Sequence, residues 1–159
     1  MTDPLATYLH DHLAGSVHAV DLLESMRDGH VGEPLGQFAG RLLVEIEADR
    51  EVLRELAESA GVGSSEMKEF TAWLGEKLSR IKLSSRHAAG FGTFEALEFL
   101  ELGIHGKLAL WRVLAVLAEA DVRLQSADYA RLAARAETQE SLVEQQRLEV
   151  ARTAFRSNK

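Results

Sequence analysis

Apolar residues recur at spacings of three and four along most of this chain, and the breaks in that rhythm divide it into four long helical stretches. Asp3-Pro4 supplies an N-cap followed by proline at the first helical position. From there Leu5, Leu9, His12, Ser16, Ala19, Val20 and Leu23 form a stripe, widened by Leu13, Val17 and Leu22, that ends near Asp28-Gly29. A second start at Glu33-Pro34 opens a stripe of Leu35, Phe38, Leu42, Ile46, Asp49, Leu53 and Leu56, which stops at Gly61 to Gly63. The connection between the two stretches is about four residues long, so they form an antiparallel hairpin. The third helix is expected from a Thr93 cap to about Asp121 and is the most apolar part of the chain. The fourth begins after Ser126 and carries Tyr129, Leu132, Ala136, Gln139, Leu142, Val143, Val150 and Phe155, with Arg156 to Lys159 fraying.

The link between the second and third helices decides the topology. Ser65 to Leu83 reads as a short amphipathic helix with Phe70, Trp73, Leu74, Lys77, Leu78 and Ile81, and Ser84 to Gly92 as a loop. A third helix roughly 39 Å long lies parallel to the second only if the link travels that distance, and a helix of roughly 28 Å plus the loop can do so. An antiparallel third helix with the short one protruding also satisfies the spacings. Long connections in compact domains have a reason, which favours the crossover.

Composition narrows the class. The 159 residues fit a single all-α domain, 1–159, because a chain of this length buries about 68 to 70% of its unfolded surface. Cysteine is absent, which removes disulfides, cysteine-ligated zinc and iron–sulfur clusters and fits a cytoplasmic protein. A net charge of −7 with scattered lysines and arginines speaks against a nucleic-acid partner. Met1 to Gly15 does not read as a signal peptide, and no apolar run reaches the 18 or so residues of a membrane span.

Four long helices in two hairpins joined by a crossover resemble the ferritin-like fold, and the segment YLHDHLAGSVHAVDLLESM resembles small bacterial proteins of that superfamily. Its metal-binding members hold a di-iron centre with one Glu from each of two helices and a Glu-x-x-His motif from each of the other two. This chain departs from that set. Glu45 and Glu47 are followed three residues later by Ala48 and Arg50, and the fourth helix contains no histidine. No complete motif carries over, so the resemblance implies a degenerate site and no cofactor. A rearranged site for iron, manganese or zinc would draw on Glu98, Glu101 and His105 of the third helix together with His12 and Asp49.

Asp49 and Gln139 each replace an apolar residue in a stripe, and a buried carboxylate without a partner costs several kcal/mol. The expectation is a polar layer inside the bundle with His12, Asp49, Glu101 or His105, Arg135 and Gln139 as members. Gly103 and Gly106 each cost roughly 1 kcal/mol in a helix interior, for which a close neighbouring helix or a local bulge would compensate. Trp73 and Trp111 read as packing residues. No phosphate loop, nucleophile elbow or catalytic triad spacing is present. The function expected is that of a non-catalytic structural or interaction protein, a homodimer if a spare apolar face is buried in a second copy. The alternative is a metal-binding protein or metal-dependent oxidoreductase using the rearranged residues.

Overall fold

The computed structural model of the chain describes residues 3–63 and 90–156. The expected short helix and loop of the crossover, with Trp73, and the last residues of the tail lie outside the described residues. Among the described residues four long helices make up the fold: α1 (Pro4–Gly29), α2 (Pro34–Ser59), α3 (Phe91–Leu117) and α4 (Tyr129–Ala154). A single 3-10 turn, Val122–Leu124, joins α3 to α4. Among the described residues there is no strand, and no helix is long and apolar enough to cross a membrane.

The starts follow local chemistry. Asp3 Oδ1 accepts from the Leu5 amide at 2.9 Å, and Asp128 Oδ1 from the Arg131 amide at 3.0 Å, so two helix N-termini are closed by carboxylates. The third helix begins three residues earlier than a Thr93 cap suggests, because Gly90 takes a left-handed conformation (φ 88°) that turns the chain into the helix at Phe91. It also ends earlier than expected, at Leu117, where the chain tightens towards the 3-10 turn.

Two apolar clusters fix the direction of every helix. One gathers Leu9 and Leu13 of α1, Leu53 and Leu56 of α2, Leu108, Trp111 and Leu114 of α3, and Tyr129 and Leu132 of α4. The other gathers Leu23 and Met26, Phe38 and Leu42, Leu97 and Leu100, and Val143 from the same four helices in turn. The start of α1 therefore shares an end of the bundle with the end of α2, the end of α3 and the start of α4. Helix α3 runs antiparallel to α1 and parallel to α2, so the segment between Gly63 and Gly90 connects opposite ends of the bundle. That is the crossover arrangement, an all-α four-helix bundle compatible with a ferritin-like fold. Arg123 reinforces the first end by pairing with Asp3 at the start of α1 and with Asp121, both at 2.6 Å, while the Tyr129 hydroxyl donates to the Leu124 carbonyl at 2.6 Å.

The α1–α2 turn is built around Gly36. A Cβ there would lie 2.1 Å from the His30 carbonyl oxygen, so the turn's backbone rests directly on the first turn of α2. Gly36→Ala is expected to destabilise the protein by about 1–3 kcal/mol, since backbone must move to make room, as measured by urea denaturation.

His18 of α1 is buried, and its Nε2 has no hydrogen-bond partner among the described residues. Desolvation holds its imidazole below the ordinary value of 6.5, against the opposing pull of Asp21. The folded state thus keeps His18 neutral where the unfolded chain takes up a proton. Its contribution to stability is fully present above pH 6.5 and is lost as the pH falls below it. Thermal melts between pH 8 and pH 5 should show that decline, with a smaller slope in His18→Leu.

Candidate functional site

Between the two apolar clusters lies a polar layer, and its members occupy stripe positions on three helices. On α2 the run Leu42, Ile46, Leu53, Leu56 is interrupted by Asp49; on α3 the run Leu97, Leu100, Ile104, Trp111, Leu114 is interrupted by Lys107; on α4 the run Leu132, Ala136, Val143 is interrupted by Gln139. Helical spacing brings all three to mid-height of the bundle. Asp49 is only 2% exposed. Its Oδ1 accepts from Arg135 Nη2 and its Oδ2 from Lys107 Nζ, which also donates to Gln139 Oε1. The Gln139 amide then donates to Glu45 Oε2 at 2.9 Å and to Asp49 Oδ2 at 3.3 Å. Burial pushes the Lys107 ammonium below the ordinary lysine range, and the neighbouring Asp49 carboxylate works in the opposite direction.

The structure brings Asp49, Arg135 and Gln139 together and leaves His12 outside their hydrogen bonds. The His12 ring instead meets Tyr8 edge-on at 4.7 Å, and desolvation lowers its pKa, with Asp11 opposing. Glu101 and His105 do not join the layer either. They face the outer groove between α3 and α4, where Arg147 Nε lies 2.5 Å from Glu101 Oε2, Arg147 Nη1 donates to Glu98 Oε1 at 3.3 Å, and His105 Nδ1 meets Glu140 Oε1 at 2.8 Å. Lys107 and Glu45 are the members that sequence reasoning left out. For Lys107 the signal was present, since it falls in the α3 stripe at the same depth as Asp49 does in α2.

The five residues named as candidate metal ligands therefore do not converge. Glu98, Glu101 and His105 line the outer groove, whereas His12 and Asp49 line a separate cleft. Each carboxylate that a cation would need already faces an arginine or lysine, and among the described residues no three His, Asp or Glu side chains form a set that could hold a metal ion. At mid-height, where ferritin-like metalloproteins place their carboxylates and imidazoles, this chain places an ammonium and a guanidinium. The donor chemistry does not fit a di-iron centre.

The cleft lies beside the polar layer, bounded by α1, α2 and α3, and encloses about 300 Å³. It exists because the helices present small residues at that level: Gly15, Ser16 and Ala19 on α1, and Gly103 and Gly106 on α3. A Cβ built on Gly15, Gly103 or Gly106 meets nothing within 4 Å, and α3 is unbroken α-helix across both of its glycines. Neither a close helix contact nor a bulge accounts for Gly103 and Gly106; they border open space. Ile46, Leu53 and Trp111 form apolar walls, and His12, Arg50 and Lys107 are the basic side chains at the surface of the cleft.

Compared with known proteins, the chain matches no family model, no curated protein and no solved structure. The chemistry of its own residues has to carry the functional reading.

Truncating one member of the layer should reveal how tightly it is balanced. Asp49→Ala leaves Lys107 and Arg135 without their shared carboxylate and is expected to cost about 3–5 kcal/mol by chemical denaturation. Replacing all three together by Asp49→Leu, Lys107→Met and Arg135→Met is expected to recover most of that loss, because an apolar layer of similar volume needs no compensation. In contrast, Glu140→Gln in the outer groove should change stability by less than about 1 kcal/mol.

Proposed function

We propose that this chain is a ferritin-like bundle without a catalytic role, working as an interaction protein that pairs with a second copy of itself through the outer face of α3. The observation that carries this reading is an apolar seam opposite the core side of α3. Phe99, Leu102, Ala109, Val113 and Val116 are exposed, and together with Gly106 they follow each other at alternating spacings of three and four. Leu102 and Val116 remain 72% and 66% exposed. Such a stripe is what a helix presents to another helix rather than to water.

The seam is self-complementary. In an antiparallel pair related by a two-fold axis beside residues 107 and 108, Phe99 meets Val116 of the second copy, Leu102 meets Val113, and Gly106 meets Ala109. Large residues then pack at the two ends while small ones let the backbones approach at the centre, as an isologous contact requires. A 27-residue helix is roughly 40 Å long and about 10 Å wide, so the seam alone offers on the order of 400 Å² in projection. That falls below the ~800 Å² each partner gives to a standard interface. The apolar groove next to it, lined by Leu5, Tyr8, Val113, Leu117 and Val122, extends the patch at one end.

The metal-dependent alternative lacks a ligand set among the described residues, for the reasons of charge given above. Protein expressed with added iron and manganese should carry substoichiometric metal and show no change in melting temperature on metal addition. Stoichiometric iron or manganese would reverse the reading. Size-exclusion chromatography with light scattering should give a mass near twice the 17.5 kDa of the chain. Ala109→Lys, which puts a charge at the centre of the seam, should give the monomer while changing chain stability by less than about 0.5 kcal/mol. A strict monomer for the unaltered protein at high concentration defeats the proposal.

A further inference from the structure

The cleft between α1, α2 and α3 shares only Gly106 with the outer seam, and its chemistry points to a ligand. Its volume of about 300 Å³ sits at the lower end of small-molecule pockets. At about 30 Å³ for each non-hydrogen atom, the space water takes in the liquid, it holds about ten such atoms. It opens to solvent between α1 and α3, where Asp11 and Gly103 are exposed, and its inner walls are apolar.

Two carboxylates, Asp11 and Asp49, and two cations, Arg50 and Lys107, line it, and they are not paired one to one. Asp49 has both oxygens taken by Lys107 and Arg135, so it offers nothing to a ligand cation. Arg50 stands differently. Its Nε donates to the Ser16 hydroxyl at 3.1 Å, and among the described residues no carboxylate pairs with its guanidinium. A half-buried arginine with its two terminal nitrogens unclaimed is an acceptor-seeking fork, matched in shape by a carboxylate. Trp111, fully buried in the wall, also leaves its indole N–H without an acceptor among the described residues. An unpartnered buried donor in the wall of a cleft is what a ligand would complete.

We infer that this cleft binds a small monocarboxylic acid with an apolar body of about ten non-hydrogen atoms in all, its carboxylate on the Arg50 guanidinium and its body against Ile46, Leu53 and Trp111. A carboxylate fits better than a phosphate. The cleft is bordered by helix interiors, whose backbone amides are already bonded within the helices, and a single free guanidinium suits one negative charge. The glycines have a use in this reading, since side chains at 15, 103 and 106 would fill the space that the acid takes.

Octanoate has the required size and serves as the probe. Titrated into the isotopically labelled protein below its micelle concentration, it should saturate one site per chain and shift the Trp111 indole N–H resonance, which Trp73→Phe distinguishes from the second tryptophan. Octan-1-ol, with the same chain and no carboxylate, should bind about tenfold more weakly or worse, and Arg50→Gln should impose a loss of similar size on octanoate alone. Gly15→Leu, which places a side chain in the open space of the cleft on α1, away from the seam, should abolish binding while leaving the melting temperature unchanged or higher. Ala109→Lys on the outer seam should bind octanoate as the unaltered protein does, which separates this site from the proposed dimer. No shift through about 10 mM octanoate would overturn the inference, because a weaker interaction is not a site. So would equal affinity for octan-1-ol, or binding that survives in Gly15→Leu and disappears in Ala109→Lys, which would place the acid on the outer face of α3. Should Gly15→Leu fail to fold, the octanol comparison and Arg50→Gln decide the matter.

Discussion

A carboxylate buried at the centre of a helical bundle has to be met by cations, and the rest of this molecule is arranged around meeting Asp49. Its two oxygens draw Lys107 from α3 and Arg135 from α4, so three helices are held at one level by one charged group. The arrangement costs desolvation of three charged side chains, and continuum reasoning credits such a cluster with little net stability. What it does instead is set position. A shift of any of these helices by one residue would carry a charge into an apolar cluster, where it would find no partner. The polar layer therefore acts as a register mark between two hydrophobic cores.

The same layer explains why mid-height of the bundle is open on one side. Helix α1 sends no charge into it and presents Gly15, Ser16 and Ala19 where the other helices present larger or polar groups. Across from them α3 has Gly103 and Gly106. The long side chains of the layer reach between α2, α3 and α4, and the volume between α1 and α3 is left unfilled. Arg50 lies on the border of that space, tied among the described residues to Ser16. Two features that look unrelated along the chain, a charged stripe and a set of glycines, are two sides of a single packing arrangement.

Charge also decides against the metal chemistry that the architecture brings to mind. Carboxylates are plentiful, but Asp49 at mid-height is neutralised by Lys107 and Arg135, and Glu98 and Glu101 on the outer groove by Arg147. A cation competing for them would have to displace a covalently attached cation at no entropic advantage. The apolar surface left over lies outside, along α3, which is why the functional reading moves from the interior to a partner and to an organic ligand.

Much of the architecture was legible along the chain. Asp3-Pro4, Glu33-Pro34 and the glycines after each stripe set the first hairpin, because capping and helix periodicity are local and need no knowledge of the fold. Asp49 and Gln139 stood out as interior polar residues for the same reason: a stripe position declares its depth. Other facts depended on distance between helices, which spacing along one helix cannot express. Periodicity allowed α3 either direction relative to α2, and only the composition of the two apolar clusters chose the parallel one. Nor could the sequence tell which cation would reach Asp49, since Lys107 lies 58 residues away and Arg135 lies 86. Glu101 and His105 share one face of α3, and the placement of α4 makes that face the wall of an outer groove. Gly103 and Gly106 mark a point where helices could approach or separate; the partner helix decided that they separate, because α1 brings only small residues to that level.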